Sequence, residues 1–216
     1  MEFTLQEVEA RVLGSLIEKE LATPEYYPLS LNALQNACNQ KTNRDPVVSY
    51  DEKTVARAVE SLREKQLVLI SQAARVPKYE ENLIQPKNLL KPEAAALCGL
   101  ILRGPQTAGE IKGRTDRLHK FESLAAVEDA LKVLEDIGYA RKLPRQPGQK
   151  ESRFAHLLMG EGQIPQEESV PRAEPVMREV RAENERIARL EQDLETLRRD
   201  LDELKQAFLD FKKQFE

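Results

Sequence analysis

Tryptophan is absent from this 216-residue chain, histidine and cysteine occur twice each, and glycine only nine times. Each shortage closes off a class of chemistry. The histidines, His119 and His156, form no metal-spaced pair such as HExxH, no CxxC occurs, and the glycines never cluster into a phosphate-cradling loop. The carboxylates lie on solvated helix faces, with no cleft of two converging acids. The expectation is therefore a protein that is not an enzyme, with no catalytic residues, no metal ligands and no cofactor. His119, in a basic turn, and His156, on an edge strand, read as surface residues. Cys38 and Cys98 sit at apolar helix positions and read as reduced core cysteines of a cytoplasmic protein. No apolar run reaches about 18 residues, which excludes a membrane-spanning helix. The start, Met1-Glu2-Phe3-Thr4, lacks the basic-then-apolar layout of a secretory leader.

What is present is a pattern that occurs twice. Glu9 to Ile17 is echoed by Glu93 to Ile101, 84 positions on, and Val55, Ala58, Val59 and Leu62 by Val127, Ala130, Leu131 and Leu134, 72 positions on. Two copies of one helical unit, differing in the length between their first and last helices, bound the fold more tightly than any single motif.

Local signals divide each copy further. Thr4 and Glu7 form a capping box for a first helix running to about Glu20, and Ser30 caps a short helix carrying Leu31, Leu34 and Cys38. After the polar turn from Asn39 to Pro46, Ser49 and Glu52 form a second capping box for a helix ending near Lys65. Val68 to Ile70 reads as a strand, and Ala73 to Asn82 as a wing with a returning strand. In the second copy a helix follows Pro92 and ends at Gly104-Pro105. Thr107 caps a short helix, Gly113 to Lys120 is a basic turn, and Glu122 or Ser123 opens a helix that stops at Gly138. A hairpin with arms at Tyr139 to Lys142 and Ser152 to Leu157 closes the copy. Three helices and a hairpin, with a helix-turn-helix inside, are the winged-helix plan.

The remaining chain differs in character. Residues 160–175 are rich in Pro, Gly and Glu, the composition of a linker. Beyond it, Ile187, Leu190, Leu194, Leu197, Leu201, Leu204, Phe208, Phe211 and Phe215 follow alternating steps of three and four, a coiled-coil seam. In a parallel pair Arg186 meets Glu191, Asp193 meets Arg198 and Asp200 meets Lys205, all opposite in sign, so a parallel homodimer is expected through Ile187, Leu190, Leu194, Leu197, Leu201, Leu204, Phe208 and Phe211. The expected fold is mainly α (α+β): a winged-helix domain over 1–85, a second over 86–159, a linker over 160–175 and a coiled-coil helix over 176–216.

The net charge of −4 hides a division. Residues 1–85 and 161–216 are net acidic, and residues 86–160 carry 13 Lys and Arg against 9 Asp and Glu. Only that middle third suits a polyanion. In copy one, inward Val55, Val59 and Leu62 turn Tyr50, Lys53, Thr54, Arg57 and Ser61 outward, behind Lys41, Asn43 and Arg44; such residues can contact base edges and phosphates. In copy two the third helix turns Glu128, Asp129, Lys132, Glu135 and Asp136 outward, a face that DNA repels. Its cations lie in Lys112, Arg114, Arg117 and Lys120, and on the hairpin at Arg141, Lys142, Arg145, Lys150 and Arg153, placed to hold a DNA backbone without reading sequence. Double-stranded DNA is thus one expected partner and another protein the alternative.

Asn36-Ala37-Cys38-Asn39-Gln40-Lys41-Thr42-Asn43-Arg44-Asp45-Pro46, with Leu13 to Lys19 and Tyr26 to Asn32, closely resembles the YceH family of bacterial proteins. The resemblance covers about residues 3–160 and continues into the tail. It implies two tandem winged-helix domains and brings no catalytic residues. From the residues themselves, Asn39, Asn43 and Asp45 suit a structural role in the turn, satisfying backbone groups before the third helix.

Overall fold

A computed structural model describes residues 3–71, 76–145 and 148–160. These belong to one compact unit, a mixed α+β arrangement compatible with a helix-turn-helix fold. The expected linker and the heptad residues from Ile187 to Phe215 lie outside the described residues. Among those described, no helix is long and apolar enough to cross a membrane.

The first half contains α1 (Glu7–Ala22), α2 (Leu31–Cys38) and α3 (Glu52–Glu64), then an antiparallel pair, β1 (Val68–Ser71) and β2 (Lys78–Glu81). The second contains α4 (Lys91–Arg103), α5 (Ala108–Arg114) and α6 (Leu124–Asp136), then β3 (Ala140–Lys142) paired with β4 (Phe154–His156). Caps explain most boundaries. Ser30, Thr107 and Ser123 each accept from the backbone N–H three residues on, satisfying one of the orphan donors at a helix start. Two expected caps differ. Helix α1 starts at Glu7, where the capping box uses Gln6 and Glu9, not Thr4 and Glu7, and just before it Leu5 N–H donates to Leu158 O at 2.7 Å. Helix α3 is capped by Asp51, which accepts from Thr54 N at 2.7 Å, rather than by Ser49. A carboxylate here also favours the positive end of the helix dipole.

Both offsets of the sequence repeat reappear in the packing. The buried stretch of α1, Glu9 to Glu18, maps onto that of α4, Glu93 to Leu102, at 84 positions. Buried Val55, Ala58, Val59 and Leu62 of α3 map onto Val127, Ala130, Leu131 and Leu134 of α6 at 72. The residue before the cap of each second helix adds a bridge to the returning strand: Leu29 pairs with Tyr79, and Gln106 with Phe154. Even the turn after the third helix matches. Gln66 at φ 60° occupies the position of Gly138 at φ 75°, so only the second half has the residue suited to this left-handed conformation.

α1 and α4 are buried along ten consecutive residues each because they pack on one another as well as on their own halves, within one continuous apolar core. Gly14 sets their approach. A Cβ there would lie 2.6 Å from Ile101 Cγ2 and 3.0 Å from Leu102 Cδ2. Alanine would gain about 0.5–1 kcal/mol of helix propensity over glycine. Overpacking a filled core costs about 1–3 kcal/mol, which outweighs that gain. Gly14→Ala is therefore expected to destabilise by about 1–2 kcal/mol in urea unfolding. Adding Ile101→Ala should reveal favourable coupling between the two changes. Simple additivity would show that this contact does not limit the approach.

Candidate nucleic-acid interface and a cationic cleft

The turn between α2 and α3 is built by side chains that bond backbone. Asn39 Nδ2 donates to Tyr50 O and Asn39 Oδ1 accepts from Tyr50 N, both at 2.8 Å, closing the loop as a strand partner would. Gln35 Nε2 donates to the same carbonyl at 3.1 Å. The structural role expected of Asn39 is thus met. Asn43, at φ 61°, accepts from Arg103 Nη2, and Asp45 N–H donates to Leu102 O at 2.9 Å, tying this turn to α4.

Arg44 is not at the surface, where the sequence placed it for DNA contact. Its side chain is buried, with Nη1 donating to Glu18 Oε1 at 3.1 Å and Nη2 to Glu18 Oε2 at 2.6 Å and to Ala37 O at 2.8 Å. Desolvation pushes the Glu18 carboxyl upward, but the hydrogen bonds and charge of Arg44 more than reverse it, so Glu18 titrates below its ordinary value. Tyr50 is likewise half-buried against the core rather than fully outward. Sequence reasoning placed Arg44 outward because an arginine in a polar turn gives no sign that a carboxylate 26 residues earlier is buried against it.

The other candidates lie where expected to differing degrees. Lys41, Lys53 and Arg57 are exposed, and Thr54 and Ser61 are half-buried on α3. Glu52, Glu60 and Glu64 share the exposed side of α3, and Glu60 pairs with Arg63 at 2.8 Å, so the face is mixed in sign. On the β3–β4 hairpin Arg141, Lys142, Arg145 and Lys150 are all exposed. The Lys142 ammonium stands 5.6 Å over the Phe154 ring, and its backbone N–H donates to Glu135 Oε1 at 2.5 Å. Arg153, in contrast, is structural: Nη1 donates to Pro105 O at 2.8 Å and lies 3.2 Å from Glu110.

Tertiary structure brings Lys41 and Asn43 of the first turn together with Arg114 and Arg117 of the second. They line one cleft of about 350 Å³ with Lys19 and Arg103, two cations that sequence reasoning did not select. Lys120 is exposed on the same turn but does not line the cleft. Arg114 donates to Gln106 Oε1 at 3.1 Å and sits 3.3 Å from Glu110, so part of its charge is already answered.

A second cavity of about 410 Å³ is lined by Arg11, Asp45, Pro46, Ile101, His156 and Met159, among others. Arg11 Nη2 donates to Pro46 O at 2.6 Å, while Arg11 Nη1 and His156 Nδ1 are buried with no hydrogen-bond partner among the described residues. His156 is therefore half-buried rather than a free surface residue, and burial of its ring pushes the pKa down to about 4. His119 packs edge-on against Phe121, with ring centroids 4.7 Å apart. Both cysteines are buried and free, and burial raises both thiols. Among the described residues no group of three His, Cys, Asp or Glu could hold a metal ion.

Known sequences bear out the expected kinship with a bacterial family. Residues 5–149 match the family model described as "Protein of unknown function, DUF480". A "UPF0502 protein" from Geotalea uraniireducens (strain Rf4) is 52% identical over 219 aligned positions, covering 100% of both chains. Others from Pelobacter propionicus and Geobacter sulfurreducens are 51% and 50% identical, again over 100% of both chains.

Proposed function

We propose that this chain, which belongs to the DUF480 family of uncharacterised bacterial UPF0502 proteins, is a dimeric DNA-binding protein built from two tandem winged-helix domains, acting as a transcriptional regulator without enzymatic activity. The observation that carries the reading is the hairpin of the second half. Four cations, Arg141, Lys142, Arg145 and Lys150, are exposed on one wing that follows a three-helix unit. Such a wing holds phosphates irrespective of sequence. In the first half, Lys53 and Arg57 on α3 would read bases. The coiled-coil tail would pair two chains in parallel, as dyad-related half-sites require; light scattering on a chain cut after Gly162 should then report a monomer.

Fluorescence anisotropy with a random-sequence duplex at two salt concentrations tests the reading. Binding should weaken steeply with salt. Reversing Arg145 and Lys150 to Glu should weaken it on every sequence and lower the salt slope by roughly two. Lys53→Ala or Arg57→Ala should instead change sequence preference by about 1–3 kcal/mol at one position. Absence of binding at low salt rejects the proposal.

One observation favours a second reading, a protein-interaction adaptor. Helix α6 exposes Glu128, Asp129 and Asp136, while Leu124, Val133 and the adjoining Ile137 are 50%, 42% and 43% exposed. That acidic, partly apolar face repels DNA and suits a protein partner.

A further inference from the structure

The cleft between the halves holds charge that the DNA-binding wing does not need. Lys19 of α1, Lys41 of the first turn, Arg103 at the end of α4, and Arg114 and Arg117 around the end of α5 surround about 350 Å³. The single carboxylate lining it, Glu18, has both oxygens bonded by Arg44 and also lies 3.6 Å from the Lys19 ammonium, so it answers little of the remaining charge. Among the described residues, neither Lys41 nor Arg117 has a carboxylate within ion-pair distance. Like charges crowd as a result. The Arg103 guanidinium is held below its ordinary value by desolvation first, then by repulsion from Arg114 and Arg44. Its hydrogen bond goes to the neutral amide of Asn43. Bringing cations together in a partly desolvated recess is unfavourable unless an anion answers them.

We propose that this cleft binds a small organic polyphosphate of nucleotide size, gripped by both halves at once. Its volume falls in the range of about 300–1,000 Å³ found for small-molecule sites. Three guanidinium groups suit forked contacts to phosphate oxygens, and two ammonium groups add point charges. Ala22, Leu102 and Leu118 supply apolar wall for the body of the ligand. A duplex spreads its charges along a rod, about one per 1.7 Å of axis, whereas five cations here converge on one recess. A compact anion with several charges matches that convergence better. Its contacts would come from α1, the first turn, α4 and the α5 region, so binding would stabilise the junction between the halves.

The test uses the full chain, with pyrophosphate and ADP as probes in calorimetry and thermal unfolding, and a random-sequence duplex as a third arm. Both small anions should bind saturably and raise Tm, as any ligand of the native state does. ADP should bind more tightly than pyrophosphate because its body meets the apolar wall. Lys41→Glu with Arg117→Glu changes two exposed side chains, so folding, checked by circular dichroism, should persist while ADP affinity falls about tenfold or more. Arg145→Glu with Lys150→Glu should leave ADP binding unchanged. No saturable binding of either probe at millimolar concentration overturns the proposal, as does equal loss in the two double variants, which would mean diffuse attraction. A cleft variant that loses duplex binding, in a wild type that never saturates with ADP, would assign the cleft to DNA backbone and also overturn it. Failure of the wild type to bind duplex rejects the DNA-binding reading and leaves the ADP result standing.

Discussion

Arg44→Ala should destabilise the protein by about 3–5 kcal/mol, because it leaves the buried Glu18 carboxylate without its bidentate partner and with only the Lys19 ammonium, 3.6 Å away, to answer its charge. The pair is bidentate, at 2.6 and 3.1 Å, and Arg44 also closes the turn through Ala37 O and Asn43 O. Removing it deletes the anchor of the loop that precedes α3. The pH dependence carries the signature. In the native protein Glu18 titrates below its ordinary value of 4.5. Its contribution is therefore complete above that value and lost as pH falls toward the lowered native pKa. Without Arg44 the dominant influence left on Glu18 is burial, which raises the pKa, so the cost of the substitution should shrink on acidification. Urea unfolding at neutral and acidic pH checks both parts. Glu18→Leu combined with Arg44→Met should recover much of the loss, since an apolar pair of similar volume avoids two desolvated charges. A loss below about 1 kcal/mol with no change in pH dependence would place Arg44 among ordinary surface pairs.

His156 should make the protein lose up to about 3 kcal/mol between pH 7 and pH 4, from a native pKa near 4 against an ordinary value of 6.5. The sign follows from proton counting. In that window the unfolded chain binds a proton at this imidazole and the folded chain does not, so lowering the pH favours unfolding. Burial alone causes the shift, and Nδ1 lies among Arg11, Ile101 and Met159 with no described partner. Glu20 works against it. Burial and the neighbouring charge of Glu81 raise Glu20 to about 7, so its protonated form favours the folded state as pH falls from 7 toward 4.5. Wild-type stability should thus look flatter than either group alone would make it. The difference between wild type and His156→Gln isolates the histidine: the variant should gain relative stability on acidification. Parallel curves for the two proteins would show that His156 is solvated and titrates normally.

The element plan was legible because it rests on local rules. Spacing of Val55, Ala58, Val59 and Leu62, and its copy 72 residues on, marks one buried stripe per helix, and Ser30, Thr107, Ser123 and Gly138 punctuate the ends. Misplaced boundaries arose where two cappers compete within a few residues. At α1 the box is built by Gln6 and Glu9 rather than Thr4 and Glu7, and the residue just before it is tied by Leu5 N–H to Leu158 O, a contact across 153 positions. No local signal contains it.

Of the candidate site, residue types were legible but company was not. Arg44 and Lys41 look alike in the turn, yet one is buried against Glu18 and the other is exposed. Lys19 and Arg103 carried no motif at all; they joined Lys41, Arg114 and Arg117 only because α1 packs on α4 across Gly14. By itself, then, the sequence determined the repeated helical unit, its buried stripes and its family, since periodicity, caps and turn residues act over a few positions. Tertiary structure alone decided which cations are buried and which gather in one cleft. Burial and charge are settled by neighbours distant in the chain, and the Coulomb and desolvation terms that govern them depend on distance and surroundings rather than on order in the sequence.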